Sequence, residues 1–141
     1  YDLRPNYNVN FLNEDKPLGT IGGLAKHQKK FNTSTFLTNC DIVINADFNQ
    51  MLKFHRKYKN DLTLVVSTKS HKVPYGVCEL DNKGKFLNIF EKPKNFYLAN
   101  TGFYIVEPKI FKFIPKNKFF HMTELIKVLK SNKKKNRSFP Y

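Results

Sequence analysis

Leu62-Thr63-Leu64-Val65-Val66-Ser67 is a nearly continuous apolar and β-branched run near the middle of the chain. A run of this kind is typical of a strand that helices cover on both faces, and such strands occur mainly in parallel sheets. We therefore expect a three-layer α/β domain whose sheet is largely parallel.

The segments on either side of this strand alternate between helical and extended patterns. Apolar spacing and chain breakers predict helices at residues 21–30, 48–58, 108–114 and 122–130, and strands at residues 7–12, 35–39, 98–106 and from 138 onward. Tyr75–Leu80 and Phe86–Phe90 flank the turn sequence Asp81–Lys85 and predict an antiparallel hairpin. The expected fold is a Rossmann-like mixed sheet with a β-hairpin insertion, in one domain over residues 1–141.

The composition of the chain argues against some classes of protein. With 141 residues, 40% hydrophobic, the chain can bury one core and is not disordered by composition. No apolar run approaches the roughly 20 residues that span a bilayer, so we expect no membrane partner. The formal net charge of +14 predicts attraction to polyanions in general, from nucleic acid to phosphorylated substrates. The chain begins at Tyr1 and stops inside a strand-like segment, so we expect it to be incomplete at both ends.

The two cysteines, Cys40 and Cys78, lie in apolar, strand-like segments. They show neither a CxxC motif nor a Cys/His spacing that would suit zinc. We expect buried, reduced thiols, which favour a cytoplasmic protein.

Polar residues that follow strands are the first candidates for a site, because ligands of open α/β sheets bind beyond the carboxyl ends of the strands. Asp41 follows the strand at 35–39, where its carboxylate suits a Mg²⁺ site and a solvated loop or N-cap equally well. Leu18–Gly23 contains three glycines at a turn before a helix, which would let the backbone approach a ligand closely. Taken alone, a tight turn and helix cap explains these glycines better.

Three other segments have both structural and functional interpretations. Glu91 and Lys92 are neighbours in a predicted strand, so their side chains point to opposite faces unless the chain bends at Pro93. Gly102 inside the strand at 98–106 predicts a bulge or a close approach. Glu124 lies in the first turn of a predicted helix, where a carboxylate suits the helix dipole. The four histidines share no ligand spacing and are interpreted as non-metal residues.

Taken in order along the chain, these segments resemble the sugar-1-phosphate nucleotidyltransferase family, which includes mannose-1-phosphate guanylyltransferases and glucose-1-phosphate thymidylyl- and uridylyltransferases. The matching segments are Glu14–Leu24 (resembling E-x-x-P-L-G-T-A-G-A-L), Phe36–Asp41 (a strand ending in N-G-D), Tyr75–Val77 with Glu91–Pro93 (Y-G-V, then E-K-P), Asn100–Tyr104 (N-x-G-x-Y) and Phe120–Ile126 (F-D-M-x-D-L-I). Their order makes the match more specific than any single segment, and it covers essentially the whole chain.

The resemblance implies a role for each matching position. Asp41 and Lys92 would be catalytic, and Asp41 would bind Mg²⁺ together with Glu124, which matches a second metal-binding carboxylate of some members. The nucleotide would contact Leu18, Gly19, Thr20 and Gly22. The sugar and its phosphate would contact Gly76, Glu91, Lys92, Asn100 and Thr101.

The implied reaction is attack by a sugar 1-phosphate oxygen on the α-phosphorus of a nucleoside triphosphate, which gives a nucleotide sugar and pyrophosphate. In such a reaction the protein aligns the two substrates and neutralises charge. The family's G-x-G-T-R-L phosphate loop has no counterpart here, and neither does its later W-x-D-I-G segment. We therefore expect little or no transferase activity from this chain alone, and self-association through exposed sheet surfaces.

Two other functions remain open. A basic nucleic-acid-binding module fits the charge, but the lysines are scattered along the sequence and no RNA- or DNA-binding signature is present, which disfavours nucleic acid as a partner. A non-catalytic homologue that binds nucleotide sugars is the other alternative. Within the family, mannose 1-phosphate with GTP is the first choice of substrates, and precursors of polysaccharides or glycoconjugates are the usual products.

Overall fold

The computed structural model describes residues 7–141, which form one mixed sheet, a separate hairpin and flanking helices. In chain order the strands and α-helices are β1 (Thr35–Thr38), α1 (Phe48–Lys57), β2 (Leu62–Lys72), β3 (Val77–Leu80), β4 (Phe86–Phe90), β5 (Lys94–Val106), α2 (Met122–Ser131) and β6 (Asn136–Pro140). Two 3₁₀ helices, Gly22–Lys30 and Pro108–Phe113, complete the set. The predicted helices and strands are thus confirmed with shifts at their ends, except that residues 7–12 form no strand.

The main sheet has the strand order β1-β5-β2-β6, and its directions differ from the expectation. β5 runs antiparallel to both of its neighbours, β1 and β2, and only β6 runs parallel to β2. The prediction of a largely parallel sheet is therefore wrong, although the sheet is mixed as expected. A strand that is covered on both faces is apolar throughout, whether its neighbours run parallel or antiparallel to it. The sequence of β2 therefore does not show the direction of its neighbouring strands.

The three-layer arrangement is confirmed by the way side chains of the sheet divide between two cores. On one face, Leu62, Tyr104 and Val106 pack against the two 3₁₀ helices and α2. On the other face, Val65 and Ile105 pack with Met51 of α1. The sheet therefore lies between a layer that contains α1 and a layer that contains α2.

β2 and β5 continue far beyond these layers. We call residues 68–98, which include the outer parts of both strands and the β3–β4 hairpin, the arm, and the remaining described residues the body. Almost every residue of the arm is exposed. Cys78 lies in the arm and Cys40 in the turn after β1, and both are exposed. The prediction of buried thiols is wrong, because every residue of β3 is exposed and Cys40 lies in the turn beyond β1 rather than in the strand.

An irregularity in β5 marks the inner side of the junction between body and arm. The pairing with β2 shifts between Leu64, which faces Tyr104, and Val66, which faces Asn100, so β5 has extra residues there. Gly102 in this stretch has a φ of 80°. The predicted bulge is confirmed, and glycine suits it because other residues adopt this backbone conformation only with strain.

A buried histidine joins the elements at the end of the sheet where β2 begins. The His55 side chain is 1% exposed, with its Nδ1 atom 2.8 Å from Thr63 Oγ1 and its Nε2 atom 3.1 Å from Glu107 Oε1. The Ser34 hydroxyl donates to the same Glu107 oxygen at 2.5 Å. These bonds connect α1, β2 and the segments that flank β1 and β5.

Asp61 lies at the same end of the sheet and is 4% exposed. Its carboxylate pairs with Lys109 and accepts a hydrogen bond of 2.8 Å from the backbone N–H of Lys135. Burial acts to raise the pKa of Asp61, but the hydrogen bonds from Lys109 and Lys135 and the nearby positive charges outweigh it and hold this pKa below its usual value. Asp61 is therefore a charged anchor for the segment that leads into β6.

Candidate functional site

The Leu18–Thr20 turn is held against the segment before α2. Ile21 N donates to Phe120 O at 3.2 Å, and Phe120 N donates to Leu18 O at 2.9 Å. Gly19 has a φ of 80°, and a Cβ atom there would lie 2.7 Å from Phe120 O. Only glycine fits this turn without a backbone shift, so the close approach that the sequence suggested is first of all an approach to Phe120.

Asn39 follows β1 and meets the bulge of β5. Asn39 N donates to Gly102 O at 3.3 Å, and a Cβ atom on Gly102 would lie 2.8 Å from Asn39 Nδ2. The Asn39 side chain therefore occupies the space that the missing side chain of Gly102 leaves. This contact brings the end of β1 next to Asn100 and Thr101.

Two adjoining cavities lie at this end of the sheet, and we call them together the cleft. The first has a volume of about 290 Å³ and contains the Leu18–Thr20 turn, and the second has a volume of about 380 Å³ and contains Asn100–Gly102. Both cavities are lined by Thr20, Asn39, Tyr104 and Met122. Two segments far apart in sequence thus line neighbouring cavities that share part of their walls.

Only some of the predicted nucleotide contacts line the cleft in the structure. Leu18, Gly19 and Thr20 line the cleft, and so does Gly23. A Cβ atom on Gly22 would lie 2.7 Å from Lys118 O, so this glycine permits close packing of two backbone segments. Thr20 has a structural task as well, because its Oγ1 accepts from Met122 N at 2.9 Å at the start of α2.

Asn100 and Thr101 line the second cavity, yet their side chains bond to the protein. Asn100 Nδ2 donates to the Tyr104 hydroxyl at 2.6 Å, and its Oδ1 accepts from Gly102 N at 3.2 Å. Thr101 Oγ1 donates to Val65 O at 2.8 Å. These bonds hold the bulge in shape and so fix the wall of the cleft.

Gly76, Glu91 and Lys92 lie together in the arm, apart from the residues that line the cleft. The predicted bend at Glu91-Lys92-Pro93 is present, with Lys92 in the left-handed region at a φ of 45°. Lys92 Nζ lies 3.7 Å from Glu91 Oε1, so the two side chains meet on one side of the chain. A Cβ atom on Gly76 would lie 3.3 Å from Glu91 Oε2, which places this glycine beside the pair.

The two predicted metal ligands are placed differently. Asp41 is exposed in the turn after β1, two residues beyond Asn39. Glu124 forms a capping box with His121, in which His121 N donates to Glu124 Oε2 at 2.7 Å. Within residues 7–141, no group of three or more His, Cys, Asp or Glu side chains is arranged to hold a metal ion.

Nearly the whole chain matches one protein family. Residues 3–139 match the family described as nucleotidyl transferase. The chain belongs to this family. Family membership explains why the motifs around Gly19, Asp41 and Asn100 occur in their order along the chain.

Two relatives show which nucleotidyl transferases the chain is similar to. The mannose-1-phosphate guanylyltransferase catalytic subunit beta of Drosophila pseudoobscura pseudoobscura is 34% identical over 105 residues, which are 71% of this chain and 28% of the relative. The UTP–glucose-1-phosphate uridylyltransferase of Synechocystis sp. is 36% identical over 109 residues, which are 71% of this chain and 28% of that protein. The chain therefore spans less than a third of the length of either relative.

Solved structures share the fold of this nucleotidyl transferase chain. The crystal structure of HddC from Yersinia pseudotuberculosis superimposes with a TM-score of 0.68 at 24% identity, and the match covers 99% of this chain and 60% of HddC. A second structure of HddC, complexed with GMP-PN, gives the same TM-score at 22% identity. This likeness confirms the expected fold class.

Three residues that shape the cleft have no predicted role in the sequence-based interpretation. Asn39, His121 and Glu14 belong to matching motifs, but their residue types suggested no specific contact. Glu14 Oε2 accepts from Leu18 N at 3.1 Å, and His121 Nδ1 accepts from Thr20 N at 3.3 Å. Their position in the motifs was the available signal, because contacts between residues 20 and 121 cannot be inferred from spacing.

The helices of the body and the segments around them are short or polar. Among residues 7–141, no helix is long and apolar enough to cross a membrane.

Proposed function

We propose that the protein containing this chain transfers the nucleotidyl group of a nucleoside triphosphate to a sugar 1-phosphate, with GTP and mannose 1-phosphate as the preferred pair. The observation that carries this proposal is the convergence of Leu18–Thr20, Asn39 and Asn100–Gly102 on one cleft. Relatives that are guanylyltransferases for mannose 1-phosphate support the choice of substrates. The product would supply the synthesis of polysaccharides or glycoconjugates.

In this proposal the first cavity holds the nucleoside. The Leu18–Thr20 turn would provide backbone contacts, and Gly19 keeps the turn narrow. The Glu14 carboxylate lines the same cavity. A carboxylate accepts hydrogen bonds only, and the edge of guanine carries two neighbouring N–H donors, so Glu14 would favour guanine over uracil.

The sugar 1-phosphate would extend from the second cavity towards the arm. The backbone around Asn100 and Thr101 would line the sugar, while Gly76, Glu91 and Lys92 would approach from the arm. The ammonium group of Lys92 suits a phosphate, and the bend at Lys92 places this group beside Glu91 rather than on the opposite face. Both Asp41 and Lys92 would thus act on charge that develops during transfer.

Mg²⁺ is part of the proposal, with Asp41 as its first protein ligand. Mg²⁺ is usually held by one or two carboxylates together with substrate phosphates, so the exposed carboxylate of Asp41 near Asn39 fits this use. Glu124 would offer its second oxygen, because Oε2 already accepts from His121 N. When bound, the ion would neutralise charge on the phosphates of the nucleotide.

Binding to the cleft can be measured on this chain without requiring turnover. We expect thermal stabilisation by GDP-mannose with Mg²⁺ that exceeds the stabilisation by UDP-glucose, dTDP-glucose and CDP-glucose and changes little with salt. Asn39→Ala should weaken GDP-mannose binding by about tenfold, the size expected when one hydrogen-bonding partner of the ligand is removed. Asn82→Ala, in the exposed tip of the arm, is the matched control. Equal weakening in both variants would contradict the assignment of the cleft.

An assay of turnover distinguishes an enzyme from a non-catalytic homologue that binds nucleotide sugars. Pyrophosphate release from GTP and mannose 1-phosphate should be readily measured with the whole protein, and little or none with residues 1–141 alone. Binding of GDP-mannose without any turnover by the whole protein would support the non-catalytic alternative.

We also propose that the arm pairs with a second copy of the chain and that the protein works in the reducing cytoplasm. The arm exposes several large apolar side chains, among them Phe86, Ile89, Phe96 and Leu98, and exposed apolar patches often mark surfaces for association. Exposed, unpaired Cys40 and Cys78 suit a reducing compartment. Sedimentation velocity should show concentration-dependent association that Leu98→Lys abolishes and Lys30→Gln, on the body, leaves unchanged.

A further inference from the structure

The end of the sheet opposite the cleft collects positive charge from three separate segments. β2 begins there at Leu62, which is paired with Val106 of β5 and Asn136 of β6. Asp61 N donates to Lys135 O at 2.7 Å, and Glu107 N donates to Asp61 O at 3.0 Å. The end of α1, the start of the second 3₁₀ helix and the segment before β6 therefore meet at one surface. We call this surface the basic end; its cations are Arg56, Lys57, Lys59, Lys109, Lys112, Lys133, Lys134, Lys135 and Arg137.

Two aromatic rings each lie beside a pair of these cations. The Arg137 guanidinium lies 4.4 Å from the centre of the Tyr58 ring, and Lys57 Nζ lies 5.5 Å from it. Around Phe113, Lys112 Nζ lies at 5.4 Å and Lys134 Nζ at 5.7 Å. Contacts of this kind restrain long side chains that would otherwise sample many conformations. The basic end thus carries one cation pair on the α1 side of the sheet and one on the α2 side.

The carboxylates at this end pair with one of its exposed cations, Lys109, and leave the others without an ion pair among the described residues. Asp61 is buried and pairs with Lys109, and Glu107 binds His55 and Ser34. Residues 48–60 contain no carboxylate, and the only one in residues 108–141, Glu124, lies at the start of α2. Nine of the 25 lysine and arginine residues therefore gather at this end, although they are scattered along the sequence.

We propose that the basic end binds the phosphate backbone of single-stranded nucleic acid, independently of the cleft and of the transferase function. Phosphates are bound individually by Arg and Lys side chains, and single-strand binders combine such cations with aromatic rings, as the basic end does. An anionic membrane fits less well, because attachment to membranes also needs apolar side chains that insert. Of the large exposed apolar side chains in residues 7–141, Tyr58 is the one at the basic end, and it is only 37% exposed.

The test is the salt dependence of binding to a fluorescent oligonucleotide of about 20 nucleotides, which exceeds the site size of common single-strand binders. The basic variant carries Lys57→Gln, Lys112→Gln, Lys134→Gln and Arg137→Gln. The control carries Lys69→Gln, Lys72→Gln, Lys83→Gln and Lys85→Gln in the arm, which removes the same charge. Between about 50 and 200 mM salt, the slope of log affinity against log salt is negative, and it should become shallower by about 0.7 for each phosphate that the variant no longer neutralises, or by about 2 to 3 in the basic variant.

Each outcome decides the proposal. Binding weakened tenfold or more at low salt in the basic variant, with the control within about twofold of the parent chain, supports it. Equal weakening in both variants would show that only net charge matters, and absence of binding at low salt would overturn the proposal outright. Tighter binding to phosphatidylserine vesicles with the same dependence on the variant would assign the surface to membranes instead.

Folding of the variants is checked by circular dichroism and thermal unfolding. If the basic variant does not fold, Lys59→Gln with Lys133→Gln removes two cations of the same surface and should make the slope shallower by about 1. An unchanged slope in this folded variant would overturn the proposal.

Discussion

β2 and β5 pass through both the body and the arm, so the same pair of strands can be compared in two environments. In the body, Leu62, Val65 and Ile105 are fully buried. In the arm, Phe96 and Leu98 remain 64% and 65% exposed although they lie in the same strand as Ile105. Both parts pair as antiparallel strands, and β5 carries large apolar side chains in both, although the outer part of β2, Thr68–Lys72, is polar. For β5 the difference is the layer of helices above and below, so the composition of that strand alone does not determine burial.

The largest expected effect comes from shortening an isoleucine to alanine, once in the body and once in the arm. Ile105→Ala should lower the free energy of unfolding by about 3 kcal/mol, because it leaves a cavity in the core, whereas Ile89→Ala, 54% exposed in the arm, should cost less than about 1 kcal/mol. Urea denaturation at low protein concentration measures both. A similar destabilisation of the two variants would mean that the arm is packed in solution, and a concentration-dependent effect of Ile89→Ala would locate this packing in the self-association.

Gly19 in the body and Gly84 in the arm allow the same comparison for the backbone. Their φ angles are 80° and 83°, but a Cβ atom on Gly19 would meet Phe120 O at 2.7 Å while one on Gly84 meets nothing within 4 Å. Gly84→Ala should therefore cost about 1 kcal/mol from backbone strain alone. Gly19→Ala should cost about 3 kcal/mol, because overpacking is added to the same strain. Chemical denaturation of the two variants tests this, and equal costs would show that the Leu18–Thr20 turn yields easily.

The smallest of the three effects concerns pH and contrasts Asp61 of the body with Asp81 at the tip of the arm. Because the pKa of Asp61 lies below 3.8, its carboxylate stabilises the fold above that pH, and this contribution is lost as the pH falls through the lower folded pKa. Asp61→Asn should lower the free energy of unfolding by about 2 kcal/mol at neutral pH, and the difference should shrink in acid below about pH 4.

Asp81 accepts from the backbone N–H groups of Lys83 and Lys85 on an exposed loop. Asn can accept the same bonds, so Asp81→Asn should change stability by less than about 0.5 kcal/mol. Thermal unfolding of both variants from neutral to acid pH makes the measurement. A deficit of Asp61→Asn that stays constant into acid would contradict the charged role of Asp61.

The positions of helices and strands could be predicted because they depend on local signals. Pro108 and the turn Asp81–Lys85 mark ends, and the spacing of Met51, Leu52 and Phe54 marks a helix. Strand direction depends on which partner a strand meets, so β5 between β1 and β2 could not be predicted from the apolar run of β2. The exposure of Cys78 escaped prediction for the related reason that an apolar alternation does not show whether a second layer covers it.

The candidate site was predictable in part. The motifs containing Gly19 and Asn100 pointed to the cleft because order along the chain carries family information. Gly22 is a packing residue, however, and Asn100 and Thr101 use their side chains within the bulge, since a residue type in a motif does not reveal which of its neighbours it contacts. The bond between Thr20 and His121 joins residues 101 positions apart and has no signature in the sequence.

The bulge at Gly102 also sets how this fold can vary in length. It divides the pairing of β2 with β5 into two stretches, each with its own register. Side chains alternate with a period of two along a strand, so adding or removing two residues in both strands outside the bulge keeps every side chain on its face. Insertions and deletions of that size in the arm would therefore leave the cleft geometry intact, and the reach of the arm can diverge among homologues while the body stays constant.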